Sequence, residues 1–232
     1  MAKDPTISYK VYPNERLKPV PFHNSEVYPL YVQVIYDRKP VYFKSYFFDL
    51  LSQEKYLISG EKDIHPSMED IIRKEERLLE HLAQEEQFNL DDLKKNYALQ
   101  GLDLLNKMDD GFKDYMLVFF ADEGQPNLGR IVLGARSMIT SEGLIKAFKG
   151  SLKPALYNKL IEHAAYYAPP YLPLEAFAHD RSGDRFTTVS IFEWEDLTFQ
   201  AGFKDFLLKK YPDYTYKEVE RQVRNYVKST II

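Results

Sequence analysis

Apolar and polar residues alternate cleanly at the start of the chain and nowhere else so well. TISYKVY, Thr6 to Tyr12, reads as a short strand. A proline-rich connector, PNERLKPVPFHNSE, follows. VYPLYVQVIYD and PVYFKSYF then alternate at period two with β-branched and aromatic residues, the pattern of half-buried strands. Asp37, Arg38 and Lys39 form a polar turn between them, closed by Pro40, which a strand tolerates at its start or at an edge. Residues 6–48 are therefore predicted to form a three-stranded antiparallel sheet.

The period then changes. Ser67 can cap a helix, with Asp70 three residues on as its reciprocal partner. Met68, Ile71, Ile72, Leu78, Leu79 and Leu82 repeat at helical spacing, with Glu, Lys and Arg on the other face. Asn89 caps a second predicted helix running toward Leu105, its end blurred by Gly101. DYMLVFFADE is too short an apolar run for periodicity to decide between strand and helix. A helix is predicted from Ser141 to Phe148. Another is stopped at Pro169-Pro170, since proline lacks the donor and clashes with the preceding turn. HDRSGDR reads as a polar loop and RFTTVSIFEW as a late strand. Two closing helices meet at Pro212-Asp213.

The expected fold class is α+β: an N-terminal three-stranded antiparallel sheet, then a mainly helical body with one or two further strands. The expected division is a β-rich head over 1–60, an acidic helical segment over 61–110, and an α+β body over 111–232.

Composition narrows the function classes. Apolar residues make up 44% and charged residues 28%, enough for a sizeable core. The 18 Tyr and 15 Phe stand against one Trp, and tyrosine joins an apolar body to a polar tip, which suits half-buried faces. There is no cysteine, so disulfides, thiolate metal sites and thiol nucleophiles are excluded. MAKDPTISYK has no signal-peptide core and no run is long enough for a membrane span, so the expectation is a soluble, cytoplasmic protein with no membrane partner, or one built into an assembly. The net charge of −4 is uneven: +2 over residues 1–52, −9 over 53–123 and +3 over 124–232. An acidic middle argues against wrapping nucleic acid along the whole length and leaves room for a local patch.

Catalytic and cofactor patterns are sparse. No two of the 5 histidines stand at helical ligand spacing, and no phosphate-binding glycine loop occurs, so neither metal nor cofactor is expected. His179 to Arg185 is the densest polar cluster. A His–Asp pair beside arginines is compatible with phosphodiester chemistry, but a Ser-Gly-Asp tip is more simply a turn. Glu162-His163 lies in an apolar helix, a usual place for a satisfied histidine. The last helix sets Val219, Val223, Tyr226 and Val227 among Lys217, Arg221, Arg224 and Lys228. It can cross nucleic acid, pack in an oligomer or simply be a solvated amphipathic helix.

The first strand, the gap and YPLYVQVIYDRKPVYFKS resemble the N-terminal arm-type DNA-binding domain of tyrosine recombinases (phage-type integrases) from Bacteroidetes-like mobile elements. SMEDIIRKEERLLEHLAQEEQ and FNLDDLKKNY are similar to that family's linker helix and the restart after it. The resemblance covers residues 6–98 and implies double-stranded DNA as partner. The rest departs from the family, whose strand-transfer chemistry needs a His-x-x-Arg box that this chain lacks. The chain is also too short for arm, core-binding and catalytic domains together. The expectation is a non-enzymatic DNA-binding or accessory protein of a phage or mobile element. The alternative is a structural component of a phage virion or other assembly, with itself or other proteins as partners.

Alternation places Lys10, Tyr31, Gln33, Tyr42, Lys44 and Tyr46 on one face of the predicted sheet, with Arg38 and Lys39 at its turn. Such a face can read bases through amides while cations settle on phosphates. It is equally compatible with a solvated face of cross-strand tyrosine pairs.

Overall fold

A computed structural model describes residues 7–57, 66–84, 89–182 and 187–231. The fold is α+β. Two compact units emerge: Met1–Gln53 with His65–Leu102, and Glu54–Ile64 with Asp103–Ile232.

The first unit is built on strands β1 (Ile7–Pro13), β4 (Leu30–Tyr36) and β5 (Lys39–Lys44), antiparallel in the order β1-β4-β5. The predicted sheet is therefore present. Its register lines up Val11, Val32 and Phe43 in one row and Tyr9, Val34 and Val41 in another, all on one face. A one-residue slip would turn that apolar set to water, which fixes the pairing. The connector is not featureless: β2 (Val20–Phe22) and β3 (Ser25–Val27) form a small hairpin turned by His23 and Asn24, with His23 at φ 50°. Phe22 from that hairpin stacks on Phe48 at 5.4 Å between ring centres.

Two helices follow β5 and cover the apolar face: α1 (Tyr46–Leu51) and α3 (Met68–Ala83), the latter lying against β1 and α1. Ser67 accepts from the Asp70 N–H at 3.1 Å and Asp70 accepts from the Ser67 N–H at 3.0 Å, the expected capping box. Ile71, Leu78, Leu79 and Leu82 are buried, each contributing about 1.5–3 kcal/mol. Lys74 and Glu75 are buried in the same stripe, although charged residues were expected only on the outer face. The helix α4 (Leu90–Gln100) starts at its Asn89 cap and ends at Gly101. Its Tyr97 ring meets Phe43 at 4.6 Å.

The second unit is helical: α2 (Glu54–Leu57), α5 (Leu104–Asp122), α6 (Pro126–Gly134), α7 (Ser141–Ser151), α8 (Pro154–Tyr167), α9 (Tyr171–Ser182), α10 (Ile191–Glu195), α11 (Leu197–Lys210) and α12 (Tyr216–Ile231). The helix α5 is the hub, touching α6, α7, α8, α9 and α12. DYMLVFFADE resolves as its second half. Leu105, Met108, Phe112, Met116, Phe119 and Phe120 are buried at spacings of three and four, so the run continues a helical stripe begun upstream. At Gly111 α5 comes close to α12, since a Cβ there would fall 2.7 Å from the Tyr226 hydroxyl and displace it.

Two local expectations are corrected. Of RFTTVSIFEW, the described residues 187–194 are not a strand: Ser190 forms an isolated bridge with Asp103, then caps α10 in a capping box with Glu193. The Ser-x-x-Glu spacing outweighs the β-branched run before it. His179, Asp180 and Arg181 are not loop but the last turn of α9; residues 183–185 of that cluster lie outside the described residues. The helices expected from Ser141, before Pro169-Pro170 and around Pro212-Asp213 are all present.

Candidate nucleic-acid interface

Among the described residues, the face of the sheet opposite α3 is partly open to solvent, with Ser8, Lys10, Tyr42 and Lys44 exposed. Its central row is Lys10 on β1, Gln33 on β4 and Tyr42 on β5, paired directly. The next row is Tyr12, Tyr31 and Lys44. Lys10, Tyr42 and Lys44 are exposed, with Tyr42 at 50%, while Tyr12, Tyr31 and Gln33 are half-buried by one another. The Lys10 ammonium sits 5.4 Å from the centre of the Tyr12 ring. Gln33 Nε2 donates to the Tyr42 hydroxyl at 3.1 Å, tying the middle strand to the edge.

Together with Asn14 and Arg16, these rows without Lys44 line an open groove of about 480 Å³. Asn14 is held by its own turn: its N–H donates to the Pro29 carbonyl at 2.9 Å and its Oδ1 accepts from the Arg16 N–H at 3.2 Å. The groove is thus lined by three tyrosines, two carboxamides and two cations, Lys10 and Arg16.

Arg38 and Lys39 are exposed at the β4–β5 turn. Asp37 and Arg38 both have positive φ, 47° and 64°. That is the backbone of the tight two-residue hairpin turn, normally occupied by Asn-Gly because a Cβ is strained there. Lys44 lies near Asp49, whose carboxyl is raised by burial and drawn back down by that lysine.

Of the expected face residues, Lys10, Tyr31, Gln33, Tyr42 and Lys44 come together, with Arg38 and Lys39 at one end. Tyr46 does not. The strand stops at Lys44, and Ser45 caps α1 by accepting from the Phe48 N–H at 3.0 Å. Tyr46 therefore begins a helix, its N–H donating to the Tyr97 hydroxyl at 2.8 Å, on the covered side. Sequence reasoning missed Tyr12, Asn14 and Arg16. Tyr12 was within reach, two residues past Lys10 on the same strand. Asn14 and Arg16 were not, because they follow the strand and alternation says nothing beyond its end.

His179 lies beside a shallow cleft lined by Ala176, Asp180, Phe206, Lys210 and Tyr211, and the Arg181 guanidinium stacks over Phe199 at 4.7 Å. Among the described residues no group of three or more His, Asp or Glu is arranged to hold a metal ion. Among the same residues no helix is long and apolar enough to cross a membrane. Compared with protein-family models, with curated proteins and with solved structures, the chain matches none.

Proposed function

We propose that the protein is a non-enzymatic DNA-binding or accessory protein of a phage or mobile element, and that it takes duplex DNA on the open face of its N-terminal sheet. The observation that carries this reading is the groove lined by the row Lys10–Gln33–Tyr42 and by Tyr12 and Tyr31 of the row beside it, which Lys44 continues on β5. Three strands spaced about 4.8 Å apart span roughly 10 Å between outer strand axes, which fits a major groove about 12 Å wide. Lys10 and Lys44 at the outer strands of the rows, with Arg16, Arg38 and Lys39 beyond them, supply phosphate contacts, while the amide and hydroxyls face the bases. The strained turn supports the same reading. A left-handed arginine costs about 1 kcal/mol, and keeping a long cation where glycine would be easier fits a use for its charge.

The experiment is fluorescence anisotropy on a random-sequence duplex at two salt concentrations. About three phosphate contacts would lower affinity roughly 40-fold between 50 and 200 mM salt. No binding at low salt by folded protein removes the proposal.

A second reading, a structural component of a phage virion or other oligomeric assembly, is favoured by a different observation. The helical unit exposes Val118, Ile131, Leu133, Tyr166, Tyr167 and Leu208 to solvent. Sedimentation velocity separates the two: a discrete high-order oligomer supports assembly, a monomer or dimer supports the DNA reader.

A further inference from the structure

We propose that Gln33 reads an adenine and sets the sequence preference of the sheet. The inference rests on the DNA-binding reading and adds a base to it.

Three features of Gln33 converge. It occupies the middle strand and the central row, flanked in register by Lys10 and Tyr42. On a plate laid into the major groove that position faces the base edges, while the outer strands face the two backbones. Its side chain is already oriented, because Nε2 donates to the Tyr42 hydroxyl at 3.1 Å. Ordering a free glutamine on binding costs rotamer entropy, and here much of that ordering precedes binding.

The third feature is what the amide has left to offer. A carboxamide has two N–H donors and one oxygen acceptor. With one N–H on Tyr42, the other N–H and Oε1 remain. One donor beside one acceptor matches adenine, which presents N7 as acceptor and N6–H as donor in the major groove. Guanine presents two acceptors, cytosine a donor only, and thymine an acceptor with a methyl group. Asn14 lines the same groove but has its Oδ1 committed to the Arg16 N–H, and Lys10 and Arg16 carry donors only.

The test is selection of duplexes from a randomised library by the full chain and by its Gln33→Ala variant, with circular dichroism to confirm that both fold. The native protein is expected to enrich sites sharing one A·T pair, discriminated about 10-fold or more. Gln33→Ala is expected to lose that preference and to bind the selected site about 10-fold more weakly, at the level the native protein shows for unselected duplex. Replacing the selected adenine by 7-deazaadenine should weaken the native protein and leave Gln33→Ala unmoved. Three results overturn the inference: a fixed G·C pair in place of A·T, binding with no preference, or a preference that survives Gln33→Ala. Absence of any duplex binding at low salt would instead remove the DNA reading itself, and this inference with it.

Discussion

Each unit buries a carboxylate at its centre, and the two are held in opposite ways. In the first unit Glu75 is 0% exposed and accepts only from neutral groups among its described bonds: the Ser45 hydroxyl at 2.5 Å, the Tyr97 hydroxyl at 2.6 Å and the Phe47 N–H at 3.0 Å. In the second unit Asp109 is 1% exposed and accepts from Lys113 at 2.7 Å, Lys55 at 3.0 Å and the Ser141 N–H at 2.7 Å. Burial pushes both acids up. For Glu75 it prevails over the three hydrogen bonds and the attraction of Lys74, and the pKa is raised. For Asp109 the Lys113 hydrogen bond, the two ammonium charges and Ser141 outweigh burial, and the pKa is lowered. Equal burial with unequal partners gives opposite responses to acid.

Those signs can be followed through unfolding. Asp109 ionises more readily when folded, so its stabilisation is present above the unfolded value and is lost as pH falls through the folded one. Glu75 ionises less readily when folded, so its cost appears as pH rises through the unfolded value and is complete above the folded one. Mild acid should therefore weaken the hold of Asp109 on α5 while relieving the strain of Glu75 on α3. Peptide-resolved hydrogen exchange at pH 3 and pH 6 measures this, and equal protection changes in α3 and α5 would break the contrast.

The largest effect belongs to Asp109. Asp109→Ala leaves Lys113 and Lys55 buried without their anion, a loss of about 3–5 kcal/mol in chemical denaturation. Replacing Asp109 and Lys113 together by Leu and Met should recover part of it, because no charge of that pair then stays stranded. An unshifted midpoint in Asp109→Ala would mean that the lysines find other partners.

A third buried acid sharpens the comparison by having no such solution. Glu175 on α9 is 8% exposed, and its Oε1 has no hydrogen-bond partner. Burial and the charge of Glu142 push its pKa to about 8, against the pull of Lys146. Its cost grows as pH rises from the unfolded value of 4.5 toward 8. Glu175→Gln should stabilise the protein by roughly 2–3 kcal/mol at pH 8 and by nothing at pH 4. Melting curves at both values decide it; an equal gain at pH 4 would assign the effect to packing.

Glu75→Gln comes next. The amide sets an NH₂ group against hydroxyls that already donate, and the mismatch should cost about 1–3 kcal/mol at pH 5. The cost should shrink as pH rises, because the native acid then carries its own penalty. A pH-independent loss would contradict a raised Glu75.

These acids also mark how far the chain could be read. The sheet, its faces and the caps of α3 and α4 were legible because alternation, Ser67–Asp70 and Asn89 are local signals. Lys74, Glu75, Asp109 and Lys113 were not, since a periodicity scan reads charge as outside. Yet Glu75 is four residues from Ile71 and from Leu79, squarely on the buried stripe. Position predicted burial; only the partners from α1 and α4, distant in sequence, explain why a carboxylate is tolerated there. Of the candidate interface, strand residues were legible and Tyr46 was not. Its placement depends on Ser45 ending the strand by capping α1, and on a hydroxyl from Tyr97 to meet its N–H.

The smallest effect on stability tests the open face. Arg38 stands at φ 64° and Asp37 at φ 47°. Glycine takes this backbone without a Cβ penalty, though it also widens the unfolded ensemble, so Arg38→Gly should stabilise the sheet unit by only about 0.5–1 kcal/mol. The same change removes a cation from the end of the face. If that cation meets a phosphate, the slope of log affinity against log salt should become shallower by about 1 while the base preference stays as it was. Arg38→Lys is the control: it keeps the charge and the strain, so both slope and stability should stay near native. Gain in stability without change in slope would leave the arginine in its strained turn with no electrostatic role, and would move the DNA contacts to the strands alone.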